Sequence, residues 1–284
     1  MTRVLLTGAS GFVGRSIVAQ LKQRDCTLTL PLRPDWQSRL EGLASDCRIV
    51  ETDDLFAETK DWWLDALDGV DIIIHAAWIA TPGIYLTSPD NAACLSGSLT
   101  LASAAIEAKI QKFVGLGTCA EYRPSDKALT IESPLEPTTL YAAAKIGTYY
   151  TLREWFRQAQ IPFLWCRLFH LYGEGEDKRR LVAFLHDSLA KGKRVDLTQA
   201  TQLRDFIEVS QAAARIVSGA LGDYQGPANI CSGKARSIRS LAEEIADSYG
   251  RRELLNFGAR PNNPFDPAIL FGEPTLFDEP QDNG

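Results

Sequence analysis

The chain has 284 residues, 45% hydrophobic and 23% charged, with a formal net charge of -6. That composition is ordinary for a globular protein, and the length suits one large α/β unit or a core with a smaller lobe. The acidic balance argues against a nucleic-acid partner held by phosphate neutralisation. No apolar run is long enough to cross a bilayer, and MTRVLLTGAS lacks a signal-peptide core, so a cytoplasmic protein without a membrane partner is expected.

The opening RVLLT has the length of a strand and breaks at GASGFVG, after which Ile17, Val18 and Leu21 recur at helical spacing. CTLTLPL and DCRIVE predict a second and a third strand. DGVDIIIHAA carries a continuous apolar core, as a parallel strand buried on both faces does. The helical stretch LTLASAAIEAKI follows, then the strand KFVGLGT, the helix carrying YAAAKIGTYYTLREWFRQA, and the strand PFLWCRLFHLYG. This alternation predicts an α/β, Rossmann-type doubly wound parallel sheet, with residues 1–172 as an NAD(P)-binding domain.

Beyond position 173 the pattern loosens into EGEDKRR, the helix LVAFLHDSLAKG, and short segments RDFIEV, SQAAARIVSGAL, GPANICSG and SIRSLAEEIADSY. Residues 173–284 are read as a smaller C-terminal substrate-binding lobe, with 204–222 returning to the core. The last fourteen residues, FGEPTLFDEPQDNG, are acidic and proline-containing and read as a loose tail. The six cysteines are scattered without a CxxC pattern and there are three histidines, so no metal site is expected and the thiols read as reduced core residues.

Gly8, Gly11 and Gly14 form GxxGxxG between the first strand and the first helix. There the spacing has a mechanism: a tight turn, close approach of backbone to a pyrophosphate, and a helix N-terminus that favours anions. Ser10, Phe12 and Val13 belong to the same turn, and a dinucleotide is the expected cofactor. The second strand ends in LPLRPDW, so Arg33 stands where an acid would bind the ribose of NAD, with Arg39 further on. An arginine there suits the 2′-phosphate of NADP, which favours NADP(H), while Asp35 leaves NAD(H) open. Asp54, with Leu55 beside it, is a candidate for the adenine, although an exposed loop aspartate reads almost as well.

Tyr141 and Lys145 lie four apart on one predicted helix and share a face. Thr118 ends a predicted sheet strand, where ligands gather in open α/β sheets. His75, Ala76 and Ala77 end another, with small residues that admit a cofactor against the backbone. His75 reads as a packed structural residue more readily than as a base.

Together TGASGFVG, DIIIHAAW, GTCAEY, YAAAK, RLFHLYG, LRDFIEV and NICSG resemble the extended short-chain dehydrogenase/reductase family. Within it they look most like the nucleotide-sugar epimerases, dehydratases and reductases, over about Thr2 to Tyr249. The resemblance implies that Tyr141 transfers the proton, Lys145 is its partner and a ribose ligand, and Thr118 holds the substrate oxygen. On this reading Lys145 and the nicotinamide lower the pKa of the phenol. It also implies a substrate site including Thr81 and Arg204, with Arg204 on the nucleotide diphosphate, Arg179 and Arg180 as weaker candidates, and a homodimer through the helices starting near Asn91 and Tyr141. An ion pair with Asp205 is the alternative for Arg204, and Asn229 reads as a turn brace.

Three departures bear on the reaction. Cys119 and Ala120 stand where the dehydratases have an Asp-Glu pair, so elimination is not expected. Cys94 replaces an asparagine that usually supports the site, and VSQAA replaces a usual acidic pair. The expected activity is NAD(P)-dependent reduction of a nucleotide-diphosphate 4-keto-6-deoxyhexose, with Tyr141 as proton donor. A 4-epimerase with retained NAD is the alternative, and a non-catalytic dinucleotide sensor a third.

Overall fold

A computed structural model describes residues 1–40, 42–262 and 266–277. Its centre is a seven-stranded parallel sheet. The first six strands are β1 (Thr2–Thr7), β2 (Cys26–Leu32), β3 (Arg48–Glu51), β4 (Ile72–His75), β5 (Lys112–Thr118) and β6 (Phe163–Leu168). Shorter strands follow as β7 (His170–Tyr172), β8 (Val195–Asp196) and β9 (Leu203–Glu208), then β10 (Gly226–Ile230), which joins the sheet beside β6. The order β3-β2-β1-β4-β5-β6-β10 reverses direction between β1 and β4. That switch point opens a crevice at the carboxyl ends of the strands, where Thr7, His75 and Thr118 stand.

The helices are α1 (Phe12–Leu21), α2 (Lys60–Ala66), α3 (Asp90–Glu107), α4 (Leu140–Ala159), α5 (Leu181–Ala190), α6 (Val209–Leu221) and α7 (Ile238–Ser248). α1 and α6 cover one face of the sheet, burying Ile17, Leu21, Ala213 and Ile216 against Val4, Leu6 and Val114. α2, α3 and α4 cover the other with Trp63, Leu101, Leu152 and Phe156 on Leu5, Ile73 and Phe113. Every residue of β4 and β5 is buried, which explains their unbroken apolar runs. The expected α/β, Rossmann-type doubly wound sheet is therefore the observed fold.

The remaining strands are β11 (Ala235–Ser237), β12 (Leu255–Asn256) and β13 (Ile269–Leu270). β9 pairs with β7, β11 and β13, and β8 with β12. α5 and α7 bury Leu185, Leu189, Leu241 and Ile245 together in a separate cluster.

Two details depart from expectation. The segment 271–277 is anchored: Leu129 N–H donates to the Phe271 carbonyl, Glu273 N–H donates back to Leu129, Thr275 N–H donates to Asn229, and Phe277 packs edge-on to Tyr224. The rest of the expected loose tail lies outside the described residues. In the VSQAA segment, Glu208 caps α6, accepting from the N–H groups of Ser210 and Gln211.

Candidate active site

The glycine turn is fixed by space. Gly8 has φ +71°, and a Cβ on it would lie 2.8 Å from the Ala77 nitrogen; a Cβ on Gly14 would lie 2.0 Å from the Gly8 carbonyl oxygen. The turn therefore sits tight against β4 and leads straight into α1, whose N-terminus at Gly11 has no side-chain cap. Free N–H groups and the helix dipole at that end form an anion cradle, so the residues present fit a dinucleotide pyrophosphate. Phe12, Val13 and Ala76 line a cavity of about 400 Å³ that continues past this cradle.

The same cavity is lined by Thr118 from the end of β5 and by Tyr141 and Lys145 from α4. α4 starts where it does because the Thr139 side chain accepts from Ala142 N–H, which places Tyr141 in its first turn. The Tyr141 ring stands edge-on to Tyr85 at 5.0 Å between centroids. Its hydroxyl lies by the Thr118 side chain, which favours the phenolate, but burial prevails and raises the phenol pKa above its ordinary value. The expected lowering by Lys145 is therefore not a property of the protein alone. The lysine donates to the Leu116 carbonyl at 2.7 Å rather than to the phenol. Burial pulls its pKa down to about 7, opposed chiefly by the negative charge of Glu121.

His75 is buried, with both ring nitrogens engaged. Its Nδ1 is 2.8 Å from the Thr7 hydroxyl and its Nε2 2.8 Å from the Ser98 hydroxyl. Burial depresses its pKa to about 3, so the ring is neutral at physiological pH. The Thr7 hydroxyl also accepts from Ala77 N–H, which holds the end of β4 against the glycine turn.

Other sequence candidates fall outside the cavity lining. Arg33 is exposed at the end of β2, and Arg39 pairs with Asp35 at 3.6 Å. Asp54 is an exposed loop residue whose carboxylate accepts from Phe56 N–H, with Leu55 partly buried next to it. Ser10 is partly buried in the turn, and Thr81 is exposed. Arg204 is buried and bonded to Asp266 at 2.6 Å, whereas Asp205 is engaged by Ser232 and Gly233. Its ion pair is thus with Asp266 rather than Asp205, and Arg180 is the arginine that lines the cavity. Arg179 is tied to Asp177.

Several cavity residues have no counterpart in the sequence reading. The Trp78 ring covers Lys145, and its indole N–H donates to Asn91 at 2.8 Å. Asn91 also donates to the carbonyls of Tyr85 and Ser88. Asn91 stands one turn before Cys94 on α3. Glu176 lines the cavity with its Oε2 buried and without a partner among the described residues, and burial raises its pKa to about 7. His170 lines it too, its Nδ1 also unpartnered.

A parallel sheet with its switch point at a glycine cradle, and a Thr-Tyr-Lys set opening on the same cavity, defines the extended short-chain dehydrogenase/reductase class. Residues 4–223 match the family described as "NAD dependent epimerase/dehydratase family", and the chain belongs to it. It is thus an enzyme of a family of NAD-dependent epimerases, dehydratases and dehydrogenases. Among curated relatives, the dTDP-6-deoxy-L-talose 4-dehydrogenase (NAD(+)) of Aggregatibacter actinomycetemcomitans is 20% identical, covering 95% of this chain and 98% of that protein. The UDP-N-acetylglucosamine 4-epimerase of Methanobrevibacter ruminantium, solved with UDP-N-acetylmuramic acid, superposes with TM-score 0.87 at 20% identity over 99% and 94% of the two chains. The UDP-glucose 4-epimerase of Thermus thermophilus, solved with NAD, superposes with TM-score 0.83 at 21% identity over 96% and 91%. Among the described residues no helix is long and apolar enough to cross a membrane.

Proposed function

We propose that this enzyme reduces the C4 carbonyl of a nucleotide-diphosphate 4-keto-6-deoxyhexose, with NADPH as the reductant. The observation that carries the proposal is the end of β2, where Arg33 is exposed and no carboxylate directly follows the strand. A guanidinium there suits a 2′-phosphate, and an NADPH-dependent member of this family works most simply as a reductase with exchangeable cofactor. The full-length relative named for a 4-dehydrogenase of a dTDP-6-deoxy sugar supports the same carbon and substrate class, since its reverse reaction is a C4 reduction.

In this reading Gly8, Gly11, Phe12, Val13 and Gly14 hold the pyrophosphate, Ala76 and Ala77 lie beneath the dinucleotide, and Arg33 meets the 2′-phosphate. When bound, the cofactor supplies the hydride that reaches C4. Tyr141 gives its proton to the carbonyl oxygen as the C–O π electrons move onto it, and Thr118 donates a hydrogen bond to the same oxygen. The raised phenol pKa keeps Tyr141 protonated at neutral pH, which is the form a reduction needs. Lys145, one helical turn on, contributes positive charge as the tyrosinate forms. Arg180 lines the same cavity, which supports it as the arginine that meets the substrate's diphosphate. Cys119 supports reduction over dehydration, because burial pushes its thiol up to about 12 and leaves it a poor acid for a departing hydroxyl. We propose further that the enzyme is a homodimer through α3 and α4.

A 4-epimerase is the second reading, favoured by the fold's likeness to the two solved 4-epimerases. Incubation with NADPH and a panel of dTDP- and GDP-4-keto-6-deoxyhexoses separates the two. Substrate-dependent loss of NADPH absorbance supports reduction; no loss, with interconversion of UDP-sugars by the protein without added cofactor, supports epimerisation.

A further inference from the structure

Beneath the cavity lies a fully buried carboxylate with four donor contacts. Glu121 accepts from Thr118 N–H at 2.9 Å, from the Trp165 indole at 3.1 and 3.2 Å through its two oxygens, and from Arg167 Nε at 2.7 Å. Arg167 is 1% exposed and its partner 0%. Its guanidinium also donates to the Tyr122 hydroxyl at 3.1 Å, and that hydroxyl donates to Asn229.

The adjoining strand is cut to fit this cluster. A Cβ on Gly115 would lie 2.4 Å from the Trp165 ring, and one on Gly117 would lie 2.2 Å from its indole nitrogen and 2.5 Å from the Glu121 carboxylate. Both glycines of VGLGT thus clear space for Trp165 and Glu121. Buried ion pairs are commonly no more stabilising than apolar side chains of similar volume, so stability alone is a weak account of this one.

Its neighbours point to a different account. The backbone held by Glu121 is that of Thr118, and the indole it orients has its ring 5.8 Å from the Lys145 ammonium. We propose that Glu121 is a positioning residue that acts on the site through Lys145, as its counter-charge, while anchoring Thr118 from below. The groups facing Lys145 leave this duty to Glu121. α3 offers the Cys94 thiol, β4 the neutral His75 and α4 the protonated Tyr141, Glu176 and Arg180 line the same cavity with opposite charge types, and Arg167 on β6 is bound to Glu121 at 2.7 Å. The family membership of the chain suffices for this inference; it does not depend on which sugar or which direction of reaction is correct.

The test therefore uses no substrate. The protonation of Lys145 is followed from pH 5 to 10 by competitive labelling with acetic anhydride and mass spectrometry of the peptide that carries it. In Glu121→Gln, which removes the charge and keeps nearly the same volume, the Lys145 titration should move down by about one unit, making it about fivefold more reactive near pH 6. Should that variant fail to fold, Glu121→Leu with Arg167→Met removes both charges in a form that buried pairs tolerate, and a smaller downward shift is expected because the loss of the Arg167 cation opposes it. A soluble variant of either kind whose Lys145 titrates as in the unmodified enzyme, with only its melting temperature lowered, would overturn the proposal.

Discussion

The Lys145 ammonium lies 3.7 Å from the centre of the Trp78 ring while donating to the Leu116 carbonyl at 2.7 Å. A buried cation is thus held between an aromatic face and a backbone oxygen, one helical turn from Tyr141 and not bonded to it. Lys145→Met should lower turnover by about 10²- to 10⁴-fold, as should Tyr141→Phe, since each removes a group assigned to proton transfer or its electrostatic support. Steady-state kinetics with the substrate found in the panel decides this. Near-normal turnover in Tyr141→Phe would remove that tyrosine from the mechanism.

The main sheet was legible because its signals are local. A glycine turn that cannot admit a Cβ, the buried run IIIH, and the alternation of strands with helices each follow from a few adjacent residues. Glu121 was in view within GTCAEY, but its partner Arg167 is 46 residues away, and only pairing of β5 with β6 brings them together. Arg204 shows the same limit: its carboxylate partner, Asp266, is 62 residues downstream, far beyond its sequence neighbour Asp205. Asn91 was missed for another reason. A family pattern directs attention to the position now held by Cys94, whereas the hydrogen bonds come from an asparagine at the start of the helix.

Arg33 can be tested as the determinant of cofactor choice. It is exposed and follows a strand whose last residues are buried, so substitution to alanine should leave the fold intact. A lost charge-assisted contact to phosphate is worth about 1.5–3 kcal/mol, which corresponds to a drop of about 10- to 150-fold in kcat/KM for NADPH. The value for NADH should stay within about twofold, because NADH has no 2′-phosphate. Equal losses with both cofactors would argue that Arg33 does not read the phosphate.

Asn91 should govern the cavity wall more than the chemistry. Its side chain is fully buried and ties Trp78 to the carbonyls of Tyr85 and Ser88 at 2.7–2.9 Å. Asn91→Leu leaves those groups without partners, at a cost of about 1–3 kcal/mol for each that water cannot reach. Because Tyr85 packs on Tyr141, the 78–88 segment should loosen over the cavity. The expected kinetic result is a raised KM with a smaller change in kcat, together with faster hydrogen exchange in that segment. A fall in kcat at constant KM would instead place Asn91 closer to the reacting atoms.

The pH dependence of stability carries two opposed contributions. The pKa of His75 is about 3 in the folded chain against an ordinary 6.5, so between these values the unfolded chain binds the extra proton. Stability from this ring falls as pH is lowered through that window, by up to about 1.4 kcal/mol per pH unit. His170, lowered to about 4, acts in the same direction. Glu176 acts in the other: its carboxyl is raised to about 7 from an ordinary 4.5, so the folded chain holds the extra proton in that range and loses stability as pH rises through it. Glu176→Gln, which cannot ionise, should therefore gain in melting temperature relative to the unmodified enzyme between pH 4.5 and pH 8. Calorimetry at the two pH values measures the difference directly. An offset that is the same at both would mean that Glu176 titrates normally despite its buried, unpartnered oxygen.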